Sequence, residues 1–284
     1  MTMQTFVQSF TPPRRAATAA LATAAVLAGI GIFFDKDDRE ARREAIEQAN
    51  ANARLAHDPL YSVALDKVRR TGVVPAVFMS RINLDLDQLE TEDKKRAFLK
   101  IVLPLIAREN ARIRDERDYL RDGADEVPEY IWEKYNVRPG DMKTLERRVD
   151  VIPASMVVAQ AALESGWGTS RFAREANNLF GIRTYNPETP GLEPEKAEGF
   201  RVIKYADLGE SVAHYMRNLN THAAYLNFRK ARQQMRRQGR DPDARHLTQR
   251  LTQYSEIPKT YGKLLRQIID GENLEDFDGL RLLN

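Results

Sequence analysis

The stretch ASMVVAQAALES, Ala154 to Ser165, is small or apolar at nearly every position. A helix with so little polar face is an inner helix, and other elements must enclose it on all sides. That requirement alone demands a domain large enough to wrap it. The stretch closes on an acid, Glu164, and runs into a Gly-Trp-Gly turn. A carboxylate at the end of a buried helix must be wet, paired or protonated, because burying it alone as an anion is costly. Beside an aromatic wall its pKa rises, which suits a group that has to carry a proton near neutral pH. Glu164 and Trp167 are three residues apart and share one side if the helix persists that far. Gly166 and Gly168 predict a sharp turn that leaves room beside the acid.

The chain of 284 residues is long enough to build such a domain and carry appendages. With 30% charged and 42% hydrophobic residues it has the balance of a globular protein, which excludes disorder throughout. It contains no cysteine, so disulfides, thiol nucleophiles and cysteine metal sites are excluded. A net charge of +3 is too small to imply nucleic acid by itself.

Near the start, residues 16–34 form an uncharged run about as long as the roughly 20 residues a membrane-spanning helix needs. Arg14 and Arg15 precede it with no acid before them, whereas Asp35, Asp37, Asp38 and Glu40 follow. That bias places residues 1–15 in the cytoplasm and everything after Phe34 outside. A cleaved signal peptide is the rival reading, but the apolar run continues through GIGIFF past the small residues of AVLAG, which favours an uncleaved anchor. Both readings export the body of the protein. Residues 35–72 are charged and alanine-rich, a helical stalk or linker that builds no core.

Residues 73–140 read as a helical extension. Phe98, Ile101, Val102, Leu105 and Ile106 recur at helical spacing, and Pro104 inside the pattern predicts a kink or a restart. Residues 141–284 form the main domain. A helix is expected near Met142 to Val149, then the inner helix, then a short helix over RFAREANN that stops at Asn177 and Asn178. TYNPETPGLEPEKAEG is loop by its prolines and glycines, and FRVIKY has the composition of one arm of a small hairpin. Asp207 followed by Glu210 is a helix start of the capping-box kind, and two further helices follow around AAYLNFRKARQQMRRQG and TYGKLLRQIIDG. The expected fold is mainly α with a small β lobe.

The pairing of a glutamate with a tryptophan is the arrangement by which lysozyme protonates a glycosidic oxygen. A longer pattern extends the parallel. QAALESGWGTSRFAREANNLFGIR resembles the signature of the bacterial glucosaminidase domain, glycoside hydrolase family 73, in which A-x-x-E-S-x-W-G-x-S is followed by N-N-L-F-G. FRVIKYADLGESVAHYMRNLNTHAAYLNFRKAR and YSEIPKTYGKLL resemble its continuation, and RAFLKIVLPLIARENARIRDERDYL looks like the helical extension of the Bax-like subfamily, related to the flagellar peptidoglycan hydrolase.

The resemblance implies a lysozyme-like domain that cuts β-1,4 bonds in the glycan strands of peptidoglycan as an endo-β-N-acetylglucosaminidase. It implies Glu164 as the catalytic acid and Tyr261 as the tyrosine beside it, with Tyr254 motif-matched in either a binding or a structural role. Most glycosidases add a second carboxylate. The lobe offers Glu188, Glu193, Glu195 and Glu198, of which Glu198 stands just before the strand and ranks first. Substrate assistance by the sugar's acetamide would remove the need for one. Trp167, Tyr205 and Phe180 offer faces on which sugars could stack, although Phe180 reads better as core, and Asn178 falls within the motif. No cofactor is implied. The partners are peptidoglycan and, through residues 16–34, the inner membrane, with the catalytic domain in the periplasm and no nucleic acid. A lytic transglycosylase or muramidase on the same scaffold, or a non-catalytic peptidoglycan-binding protein, are the alternatives.

Other constellations are weaker. His57, His214, His222 and His246 are dispersed without ligand spacing, and His214 and His222 read as packing or capping groups. Ser165 does not stand in a G-x-S-x-G elbow. FRKARQQMRRQGR gathers Arg229, Lys230, Arg232, Arg236, Arg237 and Arg240, which reads as an exposed basic face without a partner before it reads as a polyanion site.

Overall fold

The computed structural model describes residues 65–122, 126–196, 199–251 and 258–283, which all lie within one compact unit. The expected cytoplasmic segment 1–15, the anchor 16–34, most of the stalk, Glu198 and Tyr254 fall outside the described residues. Among the described residues no helix is long and apolar enough to cross a membrane.

The inner helix is α5, Ala154–Ser165, and ten of its residues are buried. Four elements named here in chain order precede it beyond the short strand β1, Val73–Pro75: α1, Leu65–Thr71; α2, Thr91–Arg121; α3, Glu129–Lys134; and α4, Met142–Arg148. After it come α6, Arg171–Ala176; β2, Arg183–Thr184; β3, Gly191–Leu192; β4, Arg201–Ile203; α7, Leu208–Thr221; α8, Leu226–Arg237; α9, Ala244–Thr248; α10, Pro258–Gly271; and β5, Arg281–Leu283. A 3-10 turn, Leu274–Phe277, closes over α5 together with α10, and α2 covers another side of it.

Every residue of α2 from Ala97 to Ala107 is buried. Burying a Leu, Ile, Val or Phe side chain is worth about 1.5–3 kcal/mol, so a helix with Phe98, Ile101, Val102, Leu105 and Ile106 all inside is a principal part of the core. It runs without a restart through Pro104. The end of the expected stalk also joins this core. Leu65 and Val68 of α1 belong to the main hydrophobic cluster, and β1 pairs in parallel with β5, Val73 opposite Arg281 and Pro75 opposite Leu283. Charge and alanine content hid two apolar residues on one helical face. A second, smaller cluster gathers Leu120, Ile131, Trp132, Tyr135, Val137, Leu145 and Val149 where the end of α2 meets α3 and α4.

Several local expectations hold in detail. Asp207 accepts from the Glu210 amide at 2.8 Å, and Glu210 accepts in return from the Ala206 amide at 2.8 Å, starting α7. Asn177 ends α6 in the left-handed conformation. FRVIKY differs from the expected arm of a hairpin: β4 is the centre of a three-stranded antiparallel sheet, with β2 on one side and β3 on the other. β3 arises inside the proline-rich loop because β4 supplies the ladder that the local sequence does not specify.

The arginines of α8 are the largest departure. Arg229 and Arg232 are 2% and 0% exposed, so they are internal rather than part of a solvated face. Helix C-termini present carbonyls without partners and carry negative partial charge. Arg229 Nη1 donates to the Leu219 and His222 carbonyls at the end of α7, at 2.9 and 2.8 Å. Arg232 donates to the Asp150, Val151, Arg147 and Arg148 carbonyls at the end of α4, and Arg236 grips the Asp150 carboxylate at 3.1 Å. The three arginines clamp two helix ends to α8.

Candidate active site

The helix α5 stops at Ser165, and its capping residue Gly166 is left-handed, with φ 58°. Trp167 and Gly168 follow with φ 58° and 83°, so three residues in succession occupy the region that side chains disfavour. The turn is pinned from inside: the Ser165 hydroxyl donates to the Ala161 carbonyl at 2.6 Å and accepts from the Gly168 amide at 2.8 Å. Ser165 is therefore structural.

This turn redirects the tryptophan. Because the helix ends before Trp167, the one-turn spacing from Glu164 does not apply; the indole meets Phe98 of α2 edge-on at 5.7 Å and lies 5.8 Å from the Lys95 ammonium. Gly168 likewise faces inward, since a Cβ there would stand 3.0 Å from Ile82, Leu86 and Phe98. Its small size serves close packing. The glycine beside the acid is Gly181, where a Cβ would lie 3.7 Å from Glu164 Oε2.

Glu164 itself is held from α10. The Tyr261 hydroxyl donates to Glu164 Oε1 at 2.9 Å. Gln160, one turn earlier on α5, donates from Nε2 to the Tyr261 oxygen at 3.0 Å, and the Tyr215 hydroxyl of α7 donates to Gln160 Oε1. Donors and acceptors alternate consistently from Tyr215 through Gln160 and Tyr261 to the carboxylate. Gln160 is 0% exposed and Tyr261 2%, while Glu164 remains partly open to solvent. Burial pushes the Glu164 carboxyl above the ordinary carboxylate range, against the opposing pull of the Tyr261 hydrogen bond and the Arg183 charge. The same neighbourhood acts on Tyr225, which burial and the Glu164 charge push up to about 12.

The N-N-L-F-G motif builds the platform beside the acid. Asn178 is 1% exposed; its Nδ2 donates to the Ile182 and Ile203 carbonyls at 3.0 and 2.9 Å, and its Oδ1 accepts from the Ile182 amide at 3.1 Å. It ties the turn after α6 to β4, and its amide is fully occupied by backbone. Asn177 Nδ2 donates to the Tyr205 and Ala206 carbonyls at 3.1 and 3.2 Å. Phe180 is 2% exposed and stacked on Tyr215 at 3.9 Å. Tyr205 is 5% exposed, with its hydroxyl 2.7 Å from His214 Nδ1. Neither ring offers a face to a ligand, so both support the site from within. His214 is packed, and His222 caps the turn after α7 by accepting from the Ala224 amide at 3.2 Å.

The β lobe contributes Arg183, whose guanidinium lies 4.1 Å above the Phe200 ring. Glu188, Glu193 and Glu195 are exposed in its loops. Among the described residues no group of three or more His, Asp or Glu is placed to hold a metal. Sequence reasoning missed Gln160, Tyr215 and Gly181. Gln160 carried a signal: it is the lone amide in an otherwise apolar helix and stands four residues before Glu164, on the same face.

An acid raised by burial and bonded to a phenol, at the end of an inner helix and next to a small sheet, is an arrangement in keeping with the lysozyme-like glycosidase class. Residues 140–274 match the glucosaminidase family, described as mannosyl-glycoprotein endo-beta-N-acetylglucosaminidase. Protein bax of Escherichia coli (strain K12) is 37% identical over 187 residues, 61% of this chain and 67% of that protein. Exo-glucosaminidase LytG of Bacillus subtilis (strain 168) is 33% identical over 94 residues, 33% of this chain but 28% of its own length. The catalytic domain of the autolysin Auto from Listeria monocytogenes shows 23% identity over 58% of this chain and 97% of that domain, with a TM-score of 0.33, too slight a likeness to carry an argument. The chain belongs to the bacterial glucosaminidase family, glycoside hydrolase family 73, with Bax-like relatives.

Proposed function

We propose that the protein is an endo-β-N-acetylglucosaminidase that hydrolyses β-1,4 bonds in the glycan strands of peptidoglycan, with Glu164 as general acid. The observation that carries this reading is the Glu164 carboxyl raised by burial yet held at 2.9 Å by Tyr261. A carboxyl whose pKa burial raises keeps its proton to higher pH and can give it to the glycosidic oxygen as the bond to the anomeric carbon breaks. Water then adds to that carbon, and a proton returns to Glu164.

Tyr261 fixes the rotamer of the acid and, being buried, acts on the substrate's acetamide only through that carboxylate. The second group is either that acetamide, acting as an internal nucleophile, or a carboxylate of the β lobe, with Glu198 the first choice. Trp167 and Tyr254 remain proposed substrate contacts. Residues 16–34 anchor the protein in the inner membrane, and the catalytic domain works in the periplasm.

The same acid could serve a muramidase or a lytic transglycosylase, and the new chain ends separate the three. Full-length protein is incubated with purified peptidoglycan and the products are identified by mass spectrometry. N-acetylglucosamine at the new reducing ends is the expected result. N-acetylmuramic acid or its anhydro form would move the protein to one of the other two classes, and exclusively terminal monosaccharide release would make it exo-acting.

A further inference from the structure

A cavity of about 850 Å³ opens beside Ile152 and Pro153 at the start of α5 and is not lined by Glu164. The 12 residues of α5 separate it from the acid, and a helix of that length spans ~18 Å. Its walls come from α2, α4, α8 and β5. Eight arginines line it against five acids, three of which are held by other groups. Asp150 faces Arg117, Arg232 and Arg236, and Asp241 pairs with Arg236 at 2.7 Å. Asp278 accepts from the Ser155 amide and hydroxyl, both at 2.8 Å. Asp118 and Glu146 are exposed.

Six of the lining guanidiniums, on Arg114, Arg121, Arg147, Arg237, Arg240 and Arg281, have no carboxylate partner among the described residues. Arg114 is half-buried; Nη2 donates to the Leu280 carbonyl at 3.0 Å, and burial and the neighbouring Arg281 charge lower its pKa against the opposing pull of Asp115 and Asp118. Arg147 Nε is buried without a hydrogen-bond partner. Like charges therefore crowd a concave surface whose internal acids do not neutralise it. The internal arginines Arg229 and Arg232 are absorbed by helix ends, whereas Arg237 and Arg240 of the same basic run turn toward this cavity.

We infer that this cavity binds a multivalent oxyanion, a ligand carrying phosphate or clustered carboxylate groups. A guanidinium presents two parallel N–H donors that match such oxygens, and several guanidiniums on converging walls bind them together. The volume is that of an ordinary small-molecule site. The site is independent of the glycosidase reading and of Glu164.

The test is calorimetric titration of the full chain in detergent with pyrophosphate and, separately, with citrate. Saturable binding of at least one probe is expected, and the probe that binds tells a phosphate source from a carboxylate source. Replacing Arg114→Gln together with Arg281→Gln should weaken it about tenfold or more. Arg70→Gln with Arg138→Gln, two exposed arginines outside the cavity, should leave it unchanged. If the first double variant does not fold by circular dichroism, Arg237→Glu with Arg240→Glu, both exposed, carries the same expectation. Saturation by neither probe, equal binding by the cavity variant, or an equal loss in the control pair would overturn the inference.

Discussion

The Tyr261 hydroxyl donates to Glu164 Oε1 at 2.9 Å, joining the first turn of α10 to the last turn of α5. This bond favours the ionised carboxylate, whereas burial favours the protonated one, and burial prevails. Activity that needs a protonated Glu164 is therefore lost as pH rises through its elevated pKa. Tyr261→Phe removes an influence that holds that pKa down, so the alkaline limb of the kcat/KM profile should move to higher pH. The rate at the optimum should fall roughly 10- to 100-fold, because the acid loses its fixed orientation. An alkaline limb that stays in place or moves to lower pH would count against the arrangement.

Gln160 and Tyr215 act as positioning residues through the same bonds. Without the Gln160 amide the Tyr261 phenol becomes a weaker donor, so Gln160→Leu should shift the alkaline limb in the same direction as Tyr261→Phe, by less. Tyr215→Phe leaves the Gln160 carbonyl without this donor and should cost about 1–3 kcal/mol of stability, read by chemical denaturation. A purely structural role would change stability and leave the pH profile where it is.

The inner helix was legible because an all-round apolar stretch has few places to go, and Glu164 stood out as the charge it carried. Asp207 and Asn177 were legible because their signals are local. The condition set on Glu164 and Trp167 sharing a side is not met for a geometric reason: spacing along a helix has no meaning past Gly166, where the backbone turns left-handed. Asn178 and Tyr205 read as ligand contacts, but an asparagine that fastens backbone and a phenol that meets His214 from within have the same letters, whereas Phe180 read as core and stacks on Tyr215. The arginines of α8 failed similarly, since sequence does not show the carbonyls that surround Arg232. Their spacing at 229, 232 and 236, one helical face shared with Phe228 and Met235, was the available hint.

Arg232 is 0% exposed and donates to four backbone carbonyls, of which the Asp150 carbonyl also accepts from Asn220 and the Arg148 carbonyl from the Asp150 amide. Arg232→Ala should destabilise the protein by about 3–5 kcal/mol, since it strands the end of α4 and weakens the hold on the buried Asp150. The denaturation midpoint should fall at unchanged slope. A loss under about 1 kcal/mol would show that water replaces the guanidinium freely.

Asp278 caps the start of α5 through Ser155, and burial raises its pKa from 3.8 to about 6. The folded state thus holds this proton more tightly than the unfolded chain does. Its contribution to stability is full below pH 3.8 and is lost as pH rises through about 6. Asp278→Asn cannot titrate, so wild-type stability should fall relative to the variant across that window, by about 1–3 kcal/mol. Parallel stability curves would contradict the assignment.

The proposed hydrolysis depends on one proton, and Glu164→Gln removes it while keeping the side chain's size. Release of new reducing ends from purified peptidoglycan by the full-length protein should drop at least about a thousandfold in this variant, with binding to the polymer and thermal stability retained. A variant that still cleaves within about tenfold of the wild-type rate would place the general acid elsewhere.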